Sequence, residues 1–243
     1  GMGAVFKALD TTLNRIVAVK VLAGHQSADE EMIRRFRNEA QSAARLNHEN
    51  IGLVHAVGSS NGWHFIVFEY IHGVNVRDLV EHRGPLPLDE ALSYMIQIAD
   101  ALQHAASRDV VHRDIKPSNI LITTNGSAKL VDMGLARFEH LEPDNSDMTA
   151  SGVTLGTFDY ISPEQARDPR STDVRSDLYS LGCTLYFMLT GMPPYPHGTV
   201  LQKLLSHSSE PPPDPRAYRE DIDDQSLKLM HKLLAKRPED RQQ

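Results

Sequence analysis

The chain has 243 residues, 40% apolar and 23% charged, with a net charge of −7 from 25 basic and 32 acidic side chains. That composition suits one large soluble domain, or two lobes, with a real core. The acidic balance, without a dense Lys/Arg run, argues against nucleic acid or an anionic membrane as the main partner. One cysteine, Cys183, excludes an internal disulfide framework and a Cys-rich zinc site and reads as a small buried hydrophobe.

In chain order, VFKALD (5–10) and IVAVKVL (16–22) are short, β-rich and separated by TTLNR, which predicts a hairpin. SADEEMIRRFRNEAQSAARLN comes next, with Ser27 and Glu30 spaced as a capping box. Met32, Ile33, Phe36, Ala40, Ala43 and Ala44 recur there at helical spacing. IGLVHAVG and WHFIVFEYI are again strand-like around the turn SSNG. The character changes near Gly73, where VRDLVEHRG predicts a short helix and LDEALSYMIQIADALQHAAS a long one, with Leu92, Met95, Ile98, Ala99 and Leu102 on one face. NILIT and AKLVD read as short strands around NGS. Residues 137–156 have weak periodicity and many Asp, Ser and Thr, which predicts a long loop of functional or disordered kind. SDLYSLGCTLYFMLTG, TVLQKLLSH and QSLKLMHKLLAK predict further helices. The expected fold class is α+β, a strand-rich part over 1–72 followed by a helix-rich part over 73–243.

The segment VVHRDIKPSN (110–119) stands out. Val110 and Val111 read as the end of a buried strand. The polar residues after them form either a charged surface loop or a loop that gathers a base, a cation and a metal ligand, and the stretch alone leaves both open. The 12 histidines include no pair at metal-binding helical spacing, so His112 reads as a packing residue and no structural zinc is expected.

Several elements then line up in order: GMGAVFKA at the start, VAVK ending at Lys20, Glu39 in the first helix, HRDIKPSN at 112–119, VDMG with Asp132, and GTFDYISPEQA at 156–166. In this order they resemble the signature set of protein kinase catalytic domains, and specifically the Hanks-type (eukaryotic-like) serine/threonine kinases of bacteria. The resemblance spans essentially the whole chain and implies a two-lobed kinase-like fold, a small antiparallel-sheet N-lobe with one helix and a larger, mainly helical C-lobe. It implies that Lys20 grips the nucleotide phosphates and that Glu39 holds Lys20. Asp114 would accept or orient the proton of the attacking hydroxyl, and Lys116 would steady the transferring phosphoryl. Asn119 and Asp132 would hold Mg2+, with Mn2+ as an alternative. ATP would sit at the lobe junction against Gly3, Val5, Ala18 and Leu121 and the backbone of Glu69 to Ile71, with Phe68 behind. Asp177 would brace the loop around Arg113, Glu164 and Arg241 would form an ion pair, and Thr157 would bond near Asp114 and Lys116. A phosphate on Thr149, Ser151 or Thr154 would order the loop that bears it, with Arg113 as its counter-charge.

The same comparison exposes departures. Gly3 matches only the last glycine of the usual glycine-rich loop, Met133 replaces the usual Phe after Asp132, and the chain stops soon after Arg241. These predict a domain trimmed at both ends, without its first strand and last helix, within a longer protein. The expected activity is transfer of the ATP γ-phosphate to Ser/Thr hydroxyls of proteins in the cytoplasm, with a homodimer left open as a route to autophosphorylation. No nucleic acid and no membrane segment are expected within the chain. The rivals are a nucleotide-binding pseudokinase or scaffold and a small-molecule phosphotransferase.

Overall fold

A computed structural model describes residues 3–22, 29–132, 155–168 and 172–241. Strands β1 (Gly3–Asp10) and β2 (Arg15–Leu22) form the expected hairpin. Its turn is held by Asp10, whose Oδ1 accepts the amides of Thr12 and Leu13 at 3.1 Å each. β3 (Val54–Ser60) and β4 (Trp63–Glu69) are joined through Asn61 and Gly62, with φ of 50° and 78°. Both are left-handed, as a two-residue hairpin turn that matches strand twist requires. The antiparallel sheet runs β1-β2-β4-β3. Its register sets Lys20 opposite Val5 and Ile66, and Ala18 opposite Phe68.

Helix α1 (Glu30–Ala44) packs Phe36 and Ala40 against Leu22 and Ile66. Its cap is Asp29, not the expected Ser27, which lies outside the described residues. Asp29 Oδ1 accepts the amides of Glu31 at 2.9 Å and Met32 at 3.3 Å. Ala44 is exposed, because the buried stripe runs on from Ala40 through Ala43 to Leu46.

The rest is mainly helical: α2 (Val76–Arg83), α3 (Leu88–Ala106), α4 (Pro163–Arg167), α5 (Val174–Thr190), α6 (Val200–Ser209) and α7 (Asp224–Leu233). A second sheet, β5 (Gly73–Asn75), β6 (Ile120–Thr123) and β7 (Ala128–Leu130), lies among them. β5, at the change of character near Gly73, is a short strand that pairs with β6 and was not expected from the sequence. α3 buries Ala91, Tyr94, Met95, Ile98, Ala101, Leu102 and Ala105. Ala99 is exposed, so the true face is rotated from the expected one. The two parts are stitched by backbone bonds: Leu130 N–H donates to Asn50 O at 2.8 Å and Gly52 N–H to Leu130 O at 2.9 Å.

α5 is buried almost all round, which makes it the spine of the helical part. Its Cys183 is wholly buried, and burial pushes the thiol well up, away from reactivity. Gly182 allows α7 to come close, since a Cβ there would stand 2.9 Å from Leu233 Cβ. Gly182→Val is therefore expected to cost about 1–3 kcal/mol by overpacking, read as a lower urea midpoint at unchanged slope.

Where α6 meets α5, Tyr179 OH lies 3.0 Å from His207 Nδ1, and Lys236 Nζ donates to the hydroxyls of Tyr179 at 3.1 Å and Tyr195 at 3.0 Å. Burial, with Lys236 nearby, lowers His207 to about 3. A histidine held neutral in the fold takes up a proton on unfolding, so its contribution is intact above its ordinary value of 6.5 and is lost as pH falls toward 3. Between pH 7 and pH 5 the parent should therefore lose about 2 kcal/mol more stability than His207→Asn. Urea unfolding at the two pH values checks this, and equal losses in both proteins would contradict it.

Candidate active site

The loop between α3 and β6 is where the chemistry-bearing residues gather. Val110 is buried, but Val110 and Val111 form no strand; the chain here is irregular. The loop is largely buried because its polar groups are satisfied internally. Asp177, at the start of α5, accepts the amides of His112 at 2.8 Å and Arg113 at 2.7 Å through separate oxygens. Gln165 Nε2 donates to Arg113 O at 3.0 Å. These bonds hold Arg113 at a φ of 66°, a left-handed conformation that costs about 1–3 kcal/mol for a non-glycine residue. Burial lifts Asp177 to about 7, against the pull of the two amides and Arg113.

His112 is a packing and hydrogen-bonding residue, as expected. Its Nδ1 lies 3.3 Å from Asp114 N–H and so accepts, which leaves the proton on Nε2, 3.1 Å from Val131 O. Burial lowers it to about 4, so the ring is neutral.

The Asp114 side chain is only 2% exposed. Lys116 Nζ reaches its Oδ1 at 3.0 Å and its Oδ2 at 2.9 Å. Asn119 Nδ2 donates to Asp114 Oδ2 at 2.9 Å and to Asp114 O at 2.8 Å. Asn119 sits in a short 3-10 turn opened by Pro117, and Val131 N–H donates to its carbonyl at 2.9 Å. The following residue, Asp132, has a φ of 58° and its Oδ1 accepts from Lys20 Nζ at 2.8 Å. Lys20 thus bridges from β2 to the end of the β7 segment and is itself nearly buried.

Lys20 and Asp132 close one end of a cavity of about 210 Å³. Its walls include the expected Val5, Ala18, Phe68 and Leu121 and the Glu69–Ile71 segment with Tyr70, together with Gly52 and Val131, which the sequence reading missed. A Cβ on Gly52 would stand 3.2 Å from Val131 Cγ1, so glycine there keeps the cavity open. Glu69 is fixed by Lys129 at 3.0 Å. Gly3 lies in β1 opposite Leu22 and is not among the cavity walls.

The whole chain, residues 1–243, matches the protein kinase domain family. The chain belongs to the protein kinase family. This kinase domain is 40% identical over 247 residues to the serine/threonine-protein kinase PknB of Mycobacterium leprae and 37% identical over 243 residues to a probable serine/threonine-protein kinase of Clostridium acetobutylicum. Both alignments cover 100% of the chain but only 39% and 36% of the relatives, so the chain spans under two-fifths of their length. Among solved structures it resembles the Mycobacterium tuberculosis PknI kinase domain, with a TM-score of 0.75, 29% identity and coverage of 99% of this chain and 86% of that one. Both the resemblance to bacterial Hanks-type kinases and the two-lobed α+β fold hold.

The kinase domain is braced on its helical side by Glu164 and Arg241. Arg241 Nη1 and Nη2 meet the Glu164 carboxylate at 2.5 and 2.9 Å, and Ser176 Oγ donates to it at 2.7 Å. Gln165, the next residue, is one the sequence reading did not single out. It belongs to a capping box with Ser162, and the S-x-x-Q spacing was its available signal. Glu39 falls within α1, but its side chain, like that of Thr157, lies outside the described residues, as do Met133, Thr149, Ser151 and Thr154. Among the described residues no helix is long and apolar enough to cross a membrane.

Proposed function

We propose that this domain transfers the γ-phosphate of ATP to Ser/Thr hydroxyls of proteins, its own loop at 137–156 included. The observation that carries the reading is the buried Asp114 carboxylate bonded to Lys116 and Asn119, next to an apolar cavity closed by Lys20 and Asp132. Phosphoryl transfer is mostly positioning and charge neutralisation, and this set supplies both.

Residues 1–72 act as the N-lobe and 73–243 as the C-lobe. The adenine ring lies between Val5, Ala18 and Leu121 and bonds to the backbone between Glu69 and Ile71. Lys20 holds the phosphates, with Glu39 steadying it. Asp114 orients the acceptor hydroxyl and takes up its proton, and Lys116 compensates charge on the transferring group. Asn119 and Asp132 offer the oxygen donors that a hard cation requires, so the residues present fit Mg2+ or Mn2+. When bound, that ion neutralises phosphate charge. Arg113, Glu164, Asp177 and Arg241 keep the loop and the segment after it in register. The domain works on the cytoplasmic side as part of a longer protein, and a homodimer is one way for it to phosphorylate Thr149, Ser151 or Thr154.

The test is a choice of acceptors. With labelled ATP and Mg2+, the chain should label casein and leave kanamycin unlabelled. Labelled kanamycin with bare casein would replace the reading with a small-molecule phosphotransferase. Nucleotide binding without any turnover would replace it with a scaffold.

A further inference from the structure

The open end of the nucleotide cavity is crossed by a side chain that is not one of its walls. Lys7 lies in β1 two residues beyond Val5 and opposite Ala18 in β2, so it shares the sheet face on which Val5, Ala18 and Lys20 stand. The row of Lys7, Ala18 and Phe68 lies two residues along the sheet, about 7 Å, from the row of Val5, Lys20 and Ile66. Lys7 therefore sits away from the Lys20 end, at the end bordered by Glu69 to Ile71. Its Nζ stands over the Tyr70 ring, 4.8 Å from the centroid, within the range of a cation–π contact. Among the described residues Lys7 forms no salt bridge that would draw it elsewhere.

Tyr70 is a cavity wall and a fixed post. Its ring meets the His72 ring edge-on, with centroids 4.7 Å apart and planes at 87°. The residue before it, Glu69, is held through its amide, which donates to Leu53 O at 2.8 Å, and through its carboxylate, which Lys129 meets at 3.0 Å. β1 is the opposite case. Among the described residues it is the outermost strand of its sheet and pairs only with β2. The contact ties a weakly supported cover of the cavity to a well-anchored edge.

We propose that Lys7 and Tyr70 form a clasp across the open end of the cavity that slows the departure of ADP, with Lys7 as a positioning residue that keeps β1 down over the adenine ring. This rests on the reading of the cavity as the ATP site. Nucleotide leaves by this end, because Lys20 and Asp132 close the other. Opening requires the ammonium to quit the ring face, so the contact weighs on release. A lysine free of the ring would instead steer the anionic nucleotide inward, an effect on association that salt screens.

The test is stopped-flow kinetics with Mg2+ and ADP bearing a fluorescent N-methylanthraniloyl group, chased with excess unlabelled ADP. Lys7→Met should speed release by about two- to fivefold, the worth of an exposed cation–π contact. Its association rate should stay within about twofold of the parent. Lys7→Arg, which keeps a cation over the ring, should release at the parent rate. In a Tyr70→Leu background, Lys7→Met should add nothing further, since its partner is gone. The clasp is overturned if Lys7→Met leaves release at the parent rate, whether or not association slows, or if its effect persists undiminished in the Tyr70→Leu background. A parent chain that binds no labelled ADP would refute the ATP-site reading and this role with it, an outcome distinct from the other two.

Discussion

Asp114→Asn is expected to lower phosphoryl transfer by about 10²–10⁴-fold, the range for loss of a positioned base. The substitution keeps the shape of a side chain that is 2% exposed. It removes the negative charge that Lys116 Nζ approaches at 2.9 Å and leaves an amide where an acceptor hydroxyl needs a proton acceptor. The cavity is lined by other residues, and Lys20 keeps its 2.8 Å contact with Asp132. Calorimetric titration with Mg2+-ADP should therefore give the parent affinity. Loss of transfer together with an equal loss of nucleotide binding would show that Asp114 supports the fold of the site and not its chemistry.

Arg241→Met is expected to have the largest effect on stability, about 3–5 kcal/mol, because it leaves a largely buried carboxylate without its cation. The Arg241 side chain is fully buried. Beyond Glu164 it donates to Ala235 O at 2.8 Å, Arg175 O at 2.8 Å and Lys236 O at 3.2 Å. Burial on its own raises Glu164, but the hydrogen bonds from Arg241 and Ser176 outweigh it and hold the carboxyl below its ordinary 4.5. A lowered folded value means that this contribution is present above pH 4.5 and is lost as pH falls below it. In Arg241→Met the sign reverses, since Glu164 then resists ionisation and the protein recovers part of its stability on acidification. Urea midpoints at neutral and mildly acid pH check both statements. A neutral-pH loss under about 1 kcal/mol would mean that water, not the guanidinium, satisfies Glu164.

Much of the site was legible because its residues carry their meaning in type and order. Lys20 lies in an apolar strand, Asp114 and Asn119 share one loop, and Asp132 comes after two more strands. The cavity walls Val5, Ala18 and Leu121 fall into place once the sheet register is known. The features that escaped the sequence were set by tertiary contact. Gly52 has no side chain to signal with, and its role comes from the approach of Val131. Gln165 and Lys203 read as ordinary polar positions on helices, and only the fold turns them onto Arg113 O and Asp159. The Ser27 capping box failed because Asp29 offers an equally good acceptor nearer the first apolar turn. The rotated face of α3 reflects packing on several sides at once, which blurs a single 3.6-residue stripe. The strand expected at Val110–Val111 failed because apolar residues can be buried as coil when side chains such as Asp177 take over the backbone bonds of the next residues in the chain.

The measurement that bears most directly on the central claim is mass spectrometry of the chain after incubation with Mg2+-ATP, beside its Asp114→Asn variant. The account predicts phosphate on serine or threonine, at Thr149, Ser151 or Thr154, in the parent and none in the variant. Parent and variant phosphorylated alike, or a parent that binds nucleotide and never acquires phosphate, would contradict it.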